Sequence, residues 1–213
     1  MYQQIIICLV VGYALGCFST GYIVGKVNNV DLSKHGSGNN GSTNALRTMG
    51  VKAGILTLLG DAFKAIIPIV FFRLLWKDDP TLGKELITLY VGLGVVLGHN
   101  FPFWLRFKGG KGIAAMAGVI ICFSIPITLV EIVAFFGVVV ITRYVSLGSL
   151  LASVIFPLGI VVLYHDNPRF LHMLIICCIF TISAFVKHRA NIVRLIHGTE
   201  NKIGKKINTN KEA

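Results

Sequence analysis

Five stretches of this chain, 5–27, 54–76, 86–105, 148–164 and 170–186, are mostly apolar, each close to the roughly 20 residues that a helix needs to cross a bilayer. In hydrocarbon every backbone N–H and C=O must find its partner inside the protein, so such stretches fold as membrane helices. A further apolar stretch lies between Lys111 and Arg143, with Glu131 as its one charge. It is too long for one span and tight for two. Ser124-Ile125-Pro126 interrupts it, because proline disrupts a helix and restrains the residue before it. Two short helices are predicted there, 113–123 and 128–142. The expected fold is an all-α membrane protein, a seven-transmembrane-helix bundle, with 1–213 as a single domain and a flexible basic tail from about 201.

Composition agrees. Only 14% of residues are charged and the mean hydropathy is +0.76, whereas soluble domains carry about a quarter charged residues. The N-terminus has no basic region before its apolar run, which also outlasts a signal-peptide core, so it reads as the first helix. Cys8, Cys17, Cys122, Cys177 and Cys178 all sit in apolar stretches without metal or CxxC spacing. They read as buried thiols and not as disulfides, ligands or nucleophiles.

The net charge of +11 would suggest nucleic acid in a soluble protein. In a membrane chain it reflects cytoplasmic loops, anionic headgroups and small anionic substrates. With the N-terminus outside, the inner segments hold Lys26, Lys34, Arg47, Lys52, Arg106, Lys108, Lys111 and Arg143. The tail adds Lys187, Arg189, Arg194, Lys202, Lys205, Lys206 and Lys211. The outer ends hold Arg73, Lys77, Lys84 and Arg169, near Asp78, Asp79, Glu85 and Asp166. The C-terminus is therefore expected in the cytoplasm, and the split at Pro126 is required for this parity. Every chemically unusual loop, 28–50, 99–112, 143–147 and 187–213, then faces the cytoplasm. Gly12/Gly16, Gly21/Gly25 and Gly94/Gly98 have the small-xxx-small spacing of close packing.

Three stretches carry chemistry. HGSGNNGSTNALR, residues 35–47, combines glycines that let N–H groups converge on an anion with hydroxyl and amide donors and a terminal arginine. Ser42 onward suits the start of a short helix, whose N-terminus favours anions. GHNFPFWLRFKGGKG, residues 98–112, puts Lys108 and Lys111 on a glycine hinge, and His99 reads as a loop tie. HRANIVRLIHGTE, residues 188–200, sets His188, Asn191 and Arg194 at three-residue intervals, with Glu200 able to balance a cation. Arg143-Tyr144-Val145-Ser146 adds a polar turn. Asp61 and Lys64, at i, i+3 inside a span, are either functional or a self-neutralising pair. A flexible linker, a positive-inside stop and an amphipathic surface helix are the plainer readings of the three stretches. On the residues alone, an anion-handling enzyme, an anion transporter and a partner-binding membrane subunit stay open. A transporter would need polar groups through the membrane depth, whereas here they collect on one side.

Together the three stretches resemble the motifs of the bacterial integral-membrane acyl-phosphate:glycerol-3-phosphate 1-O-acyltransferases, in the same order and over nearly the whole chain. Ser42 stands where that family usually has alanine, and Ala115 where threonine is common. The resemblance implies transfer of a fatty acyl group from acyl phosphate to the 1-hydroxyl of sn-glycerol 3-phosphate, giving lysophosphatidic acid and phosphate. It implies a multi-pass protein of the bacterial inner or plasma membrane. Its partners are acyl phosphate, glycerol 3-phosphate and membrane lipids, without nucleic acid or an obligate protein partner, and its active site faces the cytoplasm. Two phosphate-bearing substrates need two anion subsites. Gly38, Asn39, Asn40, Gly41, Ser42, Thr43 and Asn44 are expected to cradle acyl phosphate. Ser37, Arg47, Lys111 and His188 are expected to hold glycerol 3-phosphate. Ser146, His188 and Asn191 are the expected catalytic groups, supported by Lys108, Gly109, Gly110, Arg194 and Glu200. The nine acids are scattered, so no metal or cofactor is expected. No acid adjoins His188 in sequence, which favours proton uptake by the substrate's own phosphate over a conventional triad.

Overall fold

The computed structural model describes residues 1–78 and 81–204. Asp79 and the tail lysines Lys205, Lys206 and Lys211 lie outside the described residues. Ten α-helices are present among those described: α1 Tyr2–Gly16, α2 Thr20–Val27, α3 Ser42–Met49, α4 Val51–Leu75, α5 Gly83–Asn100, α6 Ile113–Phe123, α7 Ile125–Thr142, α8 Val145–Leu163, α9 Phe170–Lys187 and α10 Arg189–Ile196. Among the described residues six segments are long and apolar enough to cross a membrane: Tyr2–Val27, Val51–Leu75, Gly83–Leu105, Ile125–Thr142, Val145–Leu163 and Phe170–Lys187. The remaining apolar helix, α6, has 11 residues, roughly 16 Å against a hydrocarbon core of about 30 Å.

The chain departs from the expected spans in three places. The first apolar stretch is two helices, not one. The Ser19 hydroxyl accepts the Tyr22 N–H and caps α2, a local bond that competes with continuing the helix through Cys17 and Phe18. Between α6 and α7 the break is confined to Ser124, and α7 begins at Ile125 with Pro126 in its first turn, where a missing N–H costs nothing. Nor is 201–204 a free tail. Asn201 O accepts from Arg47, and Ile203 N–H donates to Arg143 O, so this segment is docked on two loops.

Helix α5 runs through the centre of the bundle, with Leu89, Val91 and Val95 fully enclosed. Its glycines explain how α1 reaches it. A Cβ on Gly98 would fall 2.2 Å from Tyr13 O, and one on Gly16 would fall 2.2 Å from Val95 O, so only glycine allows this backbone contact. Gly21 and Gly25 have a different use: their missing side chains admit Asn40 O and Val30 O, seating the 28–41 loop on α2. Phe156, Ile160, Met173 and Phe180 of α8 and α9 complete the core. The outward faces expose Phe71, Val133, Val140 and Ile141, an apolar surface suited to lipid. One end of the bundle gathers the 28–50 loop, the 101–112 loop, the α7–α8 turn and α10. At the other end Arg73 donates to Cys122 O, and Phe123 packs on Tyr164.

Candidate active site

The 35–41 loop is built around Asn44. Its Oδ1 accepts the Ser37 N–H, while Nδ2 donates to Leu32 O and His35 O. This buried amide is thereby committed to shaping the loop. Asn39 Oδ1 accepts the Gly41 N–H, and its Nδ2 reaches Gly109 O, joining this loop to the glycine hinge. Gly38 takes φ +66°, open only to glycine without strain. Helix α3 starts at Ser42, and the first-turn N–H groups of Ser42 and Thr43 have no carbonyl of their own helix to meet.

The glycine hinge rests on a buried polar cluster. Asp61 Oδ1 accepts from Lys64 Nζ at 2.9 Å and lies 3.5 Å from His99 Nδ1. Lys64 also donates to Phe18 O and to His99 Nδ1. The hinge then closes over His99: Gly110 N–H donates to His99 O, and a Cβ on Gly110 would sit 1.9 Å from the ring's Nε2. His99 thus ties the loop, and Asp61 with Lys64 forms a self-neutralising pair beneath it.

At the centre of the site is Glu200, only 7% exposed. Its Oε1 accepts from Asn191 Nδ2 (2.8 Å) and Ser146 Oγ (3.1 Å), and its Oε2 accepts from Arg194 Nε (2.8 Å). Asn191 Oδ1 in turn accepts from Lys111 Nζ at 2.6 Å. Segments 80 residues apart are bridged by this one contact. Burial pulls the Lys111 ammonium down to about 8, with Arg194, Arg47 and Lys187 adding repulsion and Glu200 opposing it. Burial likewise lowers Arg47, with Arg194 adding to the shift and Glu200 offsetting part of it.

His188 is 2% exposed, and its Nδ1 shares a hydrogen bond with Ala184 O at 2.8 Å. A carbonyl only accepts, so Nδ1 carries the proton and Nε2 presents a lone pair. Burial, then the Lys111 charge, depresses this imidazole to about 4. No carboxylate orients it among the described residues. The ring is a neutral hydrogen-bond acceptor near pH 7 and a weak base.

A cavity of about 420 Å³ joins these groups. Ser37, Asn39, Gly41, Ser42, Thr43, Asn44, Arg47, Lys111, Ser146, His188, Asn191 and Glu200 line it. Gly38, Asn40, Lys108, Gly109, Gly110 and Arg194 do not line it. Asn40 is buried behind the loop, Lys108 is exposed, and Arg194 acts on Glu200. The wall also includes Asp61, His99, Thr128, Glu131 and Ser149, and it continues into Ile121, Ile132, Phe135 and Phe136. Among the candidate residues, Glu200 reads from sequence as a simple counterion, whereas in the fold it accepts from three side chains. Its sole signal was being the one acid within the third stretch. Among the described residues no three His, Cys, Asp or Glu side chains are placed to hold a metal ion.

A helical membrane bundle with cations and amides at one mouth of a cavity, and an apolar wall behind them, has the chemistry to receive an anionic head joined to an apolar tail. A model of the glycerol-3-phosphate acyltransferase family matches residues 6–198. Glycerol-3-phosphate acyltransferases of Clostridioides difficile and Geobacter sulfurreducens are 42% and 40% identical, covering 94% and 92% of this chain and 96% of each relative. The crystal structure of PlsY (YgiH), an integral membrane glycerol 3-phosphate acyltransferase, in its glycerol 3-phosphate form superposes with TM-score 0.82 at 33% identity, over 94% of this chain and 96% of that one. Its lysophosphatidic acid form gives TM-score 0.79 at 32% identity, over 94% and 95%. The chain belongs to the glycerol-3-phosphate acyltransferase family and is an integral-membrane acyltransferase.

Proposed function

We propose that this protein moves a fatty acyl group from acyl phosphate to the 1-hydroxyl of sn-glycerol 3-phosphate. The products are 1-acyl-glycerol 3-phosphate and inorganic phosphate. The observation that carries the reading is one cavity with Arg47 and Lys111 at its polar mouth and Ile132, Phe135 and Phe136 along its apolar wall. The glycerol 3-phosphate and lysophosphatidic acid forms of the PlsY structure add support, because they match an acceptor and a product of this reaction. In this reading α6 is a short seventh span, the N-terminus lies outside, and the loops with the active site face the cytoplasm.

The first-turn N–H groups of Ser42 and Thr43 receive the acyl phosphate, where the helix dipole suits an anion, and Asn39 and Gly41, bonded to each other, shape the cradle beside them. Ser37, Arg47 and Lys111 hold the acceptor's phosphate. The hydroxyl points its hydrogen toward His188 Nε2, and Asn191 and Ser146 fix the reacting oxygens. The hydroxyl oxygen attacks the acyl carbon, a new ester C–O bond forms, and the C–O bond to phosphate breaks. The proton passes to the departing phosphate. A ring held near 4 is too weak a base to keep it, whereas an orienting acceptor needs no high basicity.

His188→Asn is therefore expected to lower kcat by about 10²-fold at saturating substrates, the low end for losing a general base. A loss beyond about 10⁴-fold, with acceptor binding intact, would make His188 the base. The acceptor's KM should rise as pH climbs through about 8, because Lys111 is cationic below that value and neutral above it. Lys111→Arg should flatten that rise, since a guanidinium stays charged. The reaction itself is tested by supplying purified protein with acyl phosphate and labelled glycerol 3-phosphate, then assaying lysophosphatidic acid and released phosphate. Acyl-CoA and acyl carrier protein donors run in parallel. Product from a thioester donor alone would overturn the acyl-phosphate assignment.

A further inference from the structure

We infer that Glu131 of α7 limits the length of acyl tail that the apolar end of the cavity accepts. This rests on the acyl-phosphate reading above. Most polar groups along that end are already committed to their own helices. Thr128 Oγ1 donates to Ser124 O, and Ser149 Oγ donates to Val145 O. Glu131 is the exception. It lines the cavity and is 8% exposed, yet its Oε1 has no hydrogen-bond partner among the described residues. No cation pairs with it there either.

Its depth sets what it meets. Helix α7 ends beside the polar mouth, where Arg143 O accepts from Ile203 N–H. From Arg143 back to Glu131 is twelve helical steps of about 1.5 Å, or roughly 18 Å. A head group at the mouth sends its tail along Phe135 and Ile132 toward this carboxyl. A tail that stops short leaves the carboxyl free to take water. A longer tail presses methylenes against it and leaves it with neither water nor partner, which disfavours binding. The carboxyl thus acts as a chemical floor in a groove that is otherwise apolar. It touches neither phosphate nor the reacting carbon, so its effect falls on the choice of chain and not on the chemistry.

The test is a series of saturated acyl phosphates, from lauroyl to stearoyl, on wild type, Glu131→Leu, Glu131→Ala and Glu131→Gln. The reading is the ratio of kcat/KM for the longest chain to that for the shortest. Leucine and alanine should each raise this ratio about tenfold, the scale of discrimination set by one methylene or one unpaired polar group. Glutamine, still polar, should move it less than threefold. Alanine keeps the test alive if leucine overfills the wall and fails to fold. An unmoved ratio in Glu131→Ala, with wild type turning over acyl phosphates, overturns this inference alone. No product from any acyl phosphate with wild type overturns the reading of the reaction and this inference with it.

Discussion

Lys111→Met is expected to lower kcat/KM for acyl transfer by about a thousandfold, roughly 4 kcal/mol of transition-state stabilisation. The ammonium faces the cavity from the end of the glycine hinge, where the tight fit of Gly110 on His99 leaves the loop little freedom. Its hydrogen-bond partner among the described residues is neutral, Asn191 Oδ1. Among the described residues no carboxylate is bonded to it, so its charge is left to an incoming phosphate, and at a site buried from bulk water such a charge-assisted contact is strong. Methionine keeps the stem and removes the charge. Stability should barely fall, because burial disfavours this ammonium and Arg194, Arg47 and Lys187 repel it, which together outweigh the pull of Glu200, and removing such a charge offsets the lost bond to Asn191. The melting temperature should stay within a few degrees, as for a change under about 1 kcal/mol. A loss of activity under tenfold, or one that tracks unfolding, would contradict a phosphate-binding role.

The spans were legible because bilayer thickness fixes helix length and hydrocarbon forbids unpaired backbone. Pro126 marked the division of 111–143 correctly for the same local reason that it opens α7. The break at Ser19 was missed: the apolar run continues through it, and hydropathy does not register a cap that one hydroxyl makes. For the site, the three glycine- and cation-bearing stretches identified the mouth, since their residue types suit anions wherever they are placed. What they could not give was pairing. Asn44 reads as a ligand donor by composition, yet three backbone groups claim its amide. Lys108 and Lys111 look alike in KGGKG, and only the fold turns one outward and one into the cavity. Glu131 belongs to the same class of hidden fact. Its loneliness depends on what α6, α8 and α9 fail to present to it, and no window of sequence contains that information.

The second large effect should come from Glu200, and its kind differs from that of Lys111. Glu200→Ala is expected to cost about 3 kcal/mol of stability and to remove nearly all turnover. The carboxylate accepts from Ser146, Asn191 and Arg194 at once. Its side chain is 2% exposed, while that of Arg194 is 33% exposed. Alanine takes the acceptor from the buried Asn191 and Ser146 donors, at about 1–3 kcal/mol for each group left without a partner. Arg194 can turn partly to solvent, which holds the total near the low end for a broken buried pair. It also removes the negative charge that offsets part of the shift at Lys111 and Arg47. The Lys111 value should then fall further below about 8, so some ammonium is lost near neutrality. Glu200→Gln separates these contributions. Its carbonyl still accepts from Asn191 and Ser146, but its amide N–H₂ meets the Arg194 donor head-on. Melting of the detergent-solubilised protein should therefore place glutamine between wild type and alanine. A double-mutant cycle with Arg194→Met should recover about 1–2 kcal/mol in the glutamine background, because the facing donor is gone. Equal destabilisation by glutamine and alanine, with no coupling to Arg194, would mean that Glu200 acts by net charge alone and not by holding these three donors in place.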